Sequence, residues 1–394
     1  MVSIIGSTGS IGRQTLQVLD HLGLRPVALA AEHSVNELES QCRQYNPKLA
    51  VLADENAARD LRKRLDDTST KVMGGEEAVC EAAIHPDAKT TVIAAPGLAG
   101  LKPTIAAIGT VPRIALANKE SMVCAGQLIM NKLWGSSSTM LPVDSELSAI
   151  HKCLEGIPRE LVQKITITAS GGPFYGRSLD SMHDVTIEEA LRHPTWKMGK
   201  KITIDSATLL NKGYEIIETM NYFGVPLDLI SVSIHRQSII HAIVEYTHKS
   251  PYMYMSVPDM RLAIQYALTY PEIRPAIAKP LDLYSLPPLT QEHPDLEAFP
   301  CLALAIEAAK MGGYAGTALT AAGEVAVDRF LNGSLRFTGI AEYIEDALKH
   351  VPEGEPASID DVLGVDAEIR NYVRSFQPQP NIRTAKNLPV QQLY

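Results

Sequence analysis

Through the first 143 residues, short and wholly apolar runs alternate with stretches of helical periodicity. VSII precedes a helix opening at Ile11, PVALAA a helix near Asn36, and LAVLA a helix over 55–65. TVIAA, RIALA and TMLPV continue the series, with a helix over 121–134. Strands apolar on both faces and separated by helices predict a parallel sheet covered on both sides, an α/β, Rossmann-like doubly wound domain over 1–143. From 144 to 270 the pattern changes. ITITAS, KITID, LISVSIH, IIHAIVEY and YMYMSV predict closely spaced strands with few helices, a central α+β domain. Residues 271–300 hold seven prolines, a density that neither helix nor central strand tolerates, and read as a linker. Four amphipathic segments, 301–311, 315–332, 337–350 and 358–376, then predict a C-terminal helical bundle within 301–394.

Composition narrows the partners. The 394-residue chain carries 36 basic and 45 acidic side chains, a formal charge of −9, which disfavours a generic nucleic-acid binder. An anionic ligand must then be met by a local basic or amide-lined pocket. The five cysteines are scattered without a C-x-x-C pair, which points to neither a disulfide framework nor a zinc knuckle and favours a reducing cytoplasmic home. The first strand reaches a glycine turn at once, so no export segment is expected. The most apolar stretch, 91–118, is interrupted by Pro96, Lys102, Pro103, Pro112 and Arg113 and is read as buried sheet material rather than a membrane span.

The candidate chemistry lies where strands end. Gly6-Ser7-Thr8-Gly9-Ser10-Ile11-Gly12 follows the first strand and opens an amphipathic helix, so its amides and the helix N-terminus can face a pyrophosphate. An ordinary glycine-rich turn is the plainer alternative, and the strand, turn, helix, strand context favours a dinucleotide. Glu32 closes the second strand 20 residues after Gly12, where a carboxylate grips a ribose 2′-hydroxyl and argues for NAD. The adjacent His33 and Ser34 suit a 2′-phosphate instead, and Glu32 pointing to solvent is the third option.

Asp144 and Glu146, i and i+2 on extended backbone, can converge on a hard cation, or they decorate a helix N-terminus. In Asp205 to Glu215, a helix starting near Ser206 would cluster Asn211, Lys212 and Glu215 at i, i+3 and i+4 spacing, for a metal and a phosphate or as a surface ion pair. Ser170-Gly171-Gly172 offers a phosphate nest or a tight turn. The segment from His193 to Gly199, with Trp196 inside it, reads as a lid over a ligand or as a buried anchor. Lys119, after the strand RIALA, faces either the crevice or solvent.

Taken in order, GSTGSIG, ALANKES, PVDSE, TASGGPF, HPTWKMG, KITIDSATLLNKGYEIIE, HRQSIIH and VPDMR resemble the 1-deoxy-D-xylulose 5-phosphate reductoisomerase family, and the resemblance runs from residue 2 to about 390. It implies a homodimeric NADPH- and Mn²⁺- or Mg²⁺-dependent enzyme. The implied reaction rearranges 1-deoxy-D-xylulose 5-phosphate and reduces the product to 2-C-methyl-D-erythritol 4-phosphate, in the non-mevalonate isoprenoid pathway. Carried over by position, the resemblance implies Asp144, Glu146 and Glu215 as metal ligands. It implies Lys119 and Ser145 on the substrate, and Ser170, Ser206, Asn211 and Lys212 on its phosphate. His193, Trp196 and Met198 would close over the reacting centre, while Thr8, Gly9, Ser10, Ile11, Asn118, Glu120 and Gly199 would contact the dinucleotide. Three positions depart from the family pattern: Leu147 stands where a histidine is usual, Arg236 where a proline is usual, and Ala31-Glu32-His33-Ser34 where Ala-Gly-x-Asn is usual. Two other readings compete. One is a Rossmann-headed dehydrogenase without metal chemistry; the other is a silent relative that only binds NADP(H).

Overall fold

The computed structural model describes residues 1–376 of the chain; the end of the predicted C-terminal domain, 377–394, lies outside the described residues. The described chain divides into two compact units. The first gathers 1–121, 129–148 and 259–279, and the second gathers 122–128, 149–258 and the chain from 280 onward.

The first unit follows the predicted alternation. In order come β1 (Val2–Ile5), α1 (Ser10–Leu22), β2 (Pro26–Ala31), α2 (Val35–Tyr45), β3 (Leu49–Leu52), α3 (Glu55–Arg64), β4 (Lys71–Gly74), α4 (Glu76–Ala83), β5 (Thr90–Ile93), α5 (Leu101–Ala107), β6 (Arg113–Leu116), α6 (Lys119–Leu133), β7 (Thr139–Pro142) and α7 (Ser145–Leu154). The seven strands form one sheet in the order β4-β3-β2-β1-β5-β6-β7, with every pairing parallel. β1, β2, β3 and β5 are buried residue by residue, which is why they read as unbroken apolar runs rather than alternations. The strand order reverses between β1 and β5, the switch point where doubly wound sheets take their ligands.

Several elements of this unit were not anticipated, α4, β4 and α5 among them. β4 is a four-residue edge strand, KVMG, with too few apolar positions to show a period. The apolar stretch 91–118 is not sheet alone but contains α5, whose Pro103 sits in the first turn, where proline removes no helical hydrogen bond.

The second unit carries α8 (Ile187–Ala190), α9 (Lys200–Ala207), α10 (Leu210–Phe223) and a four-stranded sheet. Its strands are β8 (Val162–Ala169), β9 (Ile230–Ile234), β10 (Ile240–Tyr246) and β11 (Pro251–Met255), in the order β11-β10-β8-β9. β8 pairs parallel with β9 and antiparallel with β10. The chain then returns to the first unit through α11 (Met260–Thr269). The C-terminal helices α12 (Pro300–Met311), α13 (Ala315–Leu331), α14 (Gly339–Leu348) and α15 (Ile359–Ser375) form the bundle. α12 packs on α10 so closely that a Cβ on Gly213 would lie 2.2 Å from the Ala305 methyl.

KITID is a correction. It alternates like a strand but forms α9, because Gly199 opens a helix there and Lys201 pairs with Asp205 at i, i+4, 2.9 Å apart. The helix expected to run on from Ser206 breaks at Leu209, which adopts φ +61°, and restarts as α10. The i, i+3 and i+4 relations of residues 211–215 survive because all of them fall within α10.

Candidate active site

In the first unit the predicted residues assemble on one rim, the carboxyl ends of the parallel strands. Gly6 leaves β1 at φ +91°, and a Cβ there would sit 2.5 Å from the Ala94 carbonyl oxygen at the end of β5. Gly12 is equally constrained, its absent Cβ lying 2.3 Å from the Gly6 oxygen. These glycines draw α1 tightly against the switch point. Gly9 caps α1 without any side-chain bond, so the first-turn amides beside Thr8, Ser10 and Ile11 keep a site for an anion. Glu32 and His33 follow β2, their side chains 77% and 72% exposed and 3.7 Å apart. Ser34 caps α2.

Asn118 and Asp144 are both helix caps. Asn118 accepts the Ser121 N–H at 3.2 Å and donates its amide to the Ala95 and Gly97 carbonyls and to Glu120, which ties the loop after β5 to the end of β6. One Asp144 oxygen accepts the N–H groups of Glu146 and Leu147 at 3.0 and 3.1 Å, and the other faces the Lys119 ammonium at 3.3 Å. Of the two readings of Asp144 and Glu146, extended backbone or a helix N-terminus, the structure has the second, a cap and the first turn of α7, since a carboxylate at this position satisfies amides the helix leaves open. Ser145 donates to Glu146 at 2.8 Å. Leu147 is fully buried.

In the second unit a phosphate-type nest meets a histidine. Gly171 and Gly172 follow β8 with φ +78° and +66°, a paired left-handed turn that only glycine makes without strain. Ser170 Oγ lies 3.0 Å from His193 Nε2, which also lies 3.1 Å from Ser206 Oγ. His193 Nδ1 accepts the backbone N–H groups of Thr195 and Trp196. Nδ1 must therefore be bare and Nε2 must carry the proton, so the neutral ring donates toward the two hydroxyls. Burial, helped by the positive charge of Arg236, pushes the His193 pKa down to about 4. Trp196 lies edge-on to His241, ring centroids 6.5 Å apart, while Met198 is half-buried and Gly199 caps α9. On α10, Glu215 is fully buried and accepts from Asn211 at 2.5 Å and from Lys212.

The sequence marked Arg236 only as a departure, and neither its contacts nor the part of Tyr175 was foreseen. Arg236 reaches back to the nest, donating to the Ser170 and Gly172 carbonyls, and its guanidinium stacks on Tyr175. No motif could reveal this, because backbone carbonyls more than 60 residues away carry no sequence signal.

An uncapped helix behind a glycine turn at the switch point of a parallel sheet belongs to the dinucleotide-dependent oxidoreductases. Known proteins narrow the class. Residues 2–126 match the profile of 1-deoxy-D-xylulose 5-phosphate reductoisomerase, and 140–223 and 255–372 match the profiles of its C-terminal domains. The chain is 48% identical to the 1-deoxy-D-xylulose 5-phosphate reductoisomerase of Caldanaerobacter subterraneus, over 94% of this chain and 97% of that protein. It is 47% identical to that of Acetivibrio thermocellus, over 95% and 98%. Among solved structures, the Zymomonas mobilis reductoisomerase in complex with NADPH superposes with a TM-score of 0.88 at 40% identity, covering 95% of this chain and 99% of that one. A reductoisomerase in complex with NADPH, fosmidomycin and magnesium reaches 0.90 at 35% identity, covering 95% and 97%. The chain belongs to the 1-deoxy-D-xylulose 5-phosphate reductoisomerase family, and it is an NADP-dependent oxidoreductase.

Proposed function

We propose that this chain converts 1-deoxy-D-xylulose 5-phosphate to 2-C-methyl-D-erythritol 4-phosphate with NADPH and a divalent cation, Mg²⁺ or Mn²⁺, in the non-mevalonate isoprenoid pathway. The observation that carries this reading is family membership over nearly the whole chain at close to half identity. In the proposal, Asp144, Glu146 and Glu215 hold the cation, a carboxylate set that suits a hard dication. When bound, the cation supplies Lewis acidity and the coenzyme supplies hydride.

The chain's own residues do the rest. Asp144 is fixed by two helix amides, so its position is set before any ligand arrives, and Lys119 beside it donates to the substrate's oxygens. Ser145 hydrogen-bonds the substrate. Ser170, Ser206, Asn211 and Lys212 hold the phosphate, with His193 supplying an N–H to the same group of hydroxyls. Trp196 and Met198 exclude water over the reacting carbon. Thr8, Gly9, Ser10, Ile11, Glu32, His33, Ser34, Asn118, Glu120 and Gly199 line the dinucleotide. The functional division follows the sequence: coenzyme on 1–143, metal and phosphate on 144–270, a linker over 271–300 and helical support after it. The working form is a homodimer in the cytosol, without nucleic-acid or membrane partners. The five cysteines are free, and no described helix is long and apolar enough to cross a membrane.

The test is NADPH oxidation by purified protein with 1-deoxy-D-xylulose 5-phosphate and Mg²⁺ or Mn²⁺, repeated with EDTA and with NADH. Metal-dependent oxidation of NADPH is expected. NADPH binding without oxidation would leave a silent relative instead.

A further inference from the structure

The parallel pairing of β8 and β9 sets Ala169 beside Ile234, so Ser170, one residue on, and Arg236, two residues on, leave the same end of the sheet close together. Arg236 Nη1 donates to the Ser170 carbonyl at 2.5 Å and to the Gly172 carbonyl at 2.9 Å, which brackets the two left-handed glycines. A trans peptide points its C=O and N–H in opposite directions. Gripping the Ser170 carbonyl therefore turns the Gly171 N–H away from the guanidinium. The grip is itself held: the guanidinium carbon lies 4.6 Å from the Tyr175 ring centre, and Tyr175 donates its hydroxyl to Glu292 at 2.5 Å. Glu292 is in turn fastened to the sheet by its bridge to Ile234. Arg236 is half-buried and stays charged, because a guanidinium does not deprotonate in proteins.

We propose that Arg236 is a positioning residue for substrate phosphate: it locks the Ser170–Gly172 nest in its anion-accepting shape from behind and adds a fixed positive charge to it. This rests on the reading of Ser170 and its neighbours as the phosphate site. A loop held in advance loses no ordering entropy on binding, and the charge acts whenever phosphate is present. The effect therefore falls on ground-state affinity for phosphate and leaves the chemical step alone.

The experiment uses the full chain loaded with NADPH, with inorganic phosphate as the calorimetric probe and steady-state kinetics on 1-deoxy-D-xylulose 5-phosphate alongside. Arg236→Gln should weaken phosphate binding and raise KM, each by about tenfold, with kcat within about twofold of wild type. Arg236→Lys keeps the charge but cannot span both carbonyls, so it should recover part of the loss. Tyr175→Leu removes the platform and should cost about two- to threefold in phosphate affinity. Phosphate affinity unchanged in Arg236→Gln, a fall in kcat alone, or no measurable phosphate binding by wild type would each overturn the proposal. Should Arg236→Gln fail to fold, unchanged phosphate affinity in both Arg236→Lys and Tyr175→Leu has the same force. The phosphate titration needs no turnover. A wild-type protein that binds phosphate in an Arg236-dependent way yet oxidises no NADPH would sink the proposed reaction and leave this assignment standing.

Discussion

His193 Nδ1 accepts the Trp196 backbone N–H at 2.9 Å, which fixes the proton on Nε2 and aims it at Ser170 and Ser206. A protonated ring would have to set a second N–H against the amides of Thr195 and Trp196. The loop therefore favours the neutral histidine by the same contacts that orient it.

A pH prediction follows with a definite sign. His193 titrates at about 4 in the folded chain against an ordinary 6.5, so the unfolded chain binds more protons between these values. The contribution of His193 to stability is complete above about pH 6.5 and is lost as pH falls toward 4. Thermal melts at pH 7.5 and 4.5 should show a smaller acid-induced drop in Tm for His193→Gln than for wild type. Ring nitrogen NMR should find His193 neutral at pH 6.

Glu215→Gln removes a carboxylate from the proposed cation set and one charged partner from the buried Lys212. Turnover should fall by roughly a thousandfold or more, with NADPH affinity unchanged, and EDTA should do the same to wild type. Stability should drop by about 1–3 kcal/mol, because a buried ammonium loses a charge-assisted bond. Wild-type turnover in this variant would remove Glu215 from the cation set.

The exposed Glu32 carboxylate stands at the end of β2, where a 2′-phosphate would meet it. Glu32→Ala should tighten NADPH about two- to fivefold at low salt, with the gain shrinking as ionic strength rises. Equilibrium fluorescence titration of NADPH at two salt concentrations checks both the direction and the screening.

Two glycines of similar backbone conformation separate strain from collision. A Cβ at Gly172 would lie 2.9 Å from the Ser206 carbonyl oxygen, whereas a Cβ at Gly176, φ +77°, meets nothing within 4 Å. Gly176→Ala should cost only the left-handed penalty of about 1 kcal/mol. Gly172→Ala should cost about 2–3 kcal/mol, measured by urea unfolding, and should also raise KM by displacing the nest.

The sequence by itself determined the parallel sheet, since strands buried on both faces must be apolar at every position, and β1, β2, β3 and β5 are. It also located the glycine turn and the residues at strand ends, because backbone conformation at Gly6 or Gly171 constrains residue type locally. Alternation misled where a helix start at Gly199 and the i, i+4 pair of Lys201 with Asp205 overrode it. KITID alternates like a strand, yet it forms a helix with its Thr203, Ile204, Asp205 and Ala207 buried. Asp144 and Glu146 were legible as a pair, but whether they lay on extended backbone or on a helix cap depended on amide hydrogen bonds that pattern does not encode. Only the tertiary structure decided the protonation of His193 and the grip of Arg236. Both depend on backbone groups, two and three residues on for His193 and more than 60 residues away for Arg236, and every residue type presents the same N–H and C=O, so no side-chain pattern could announce them.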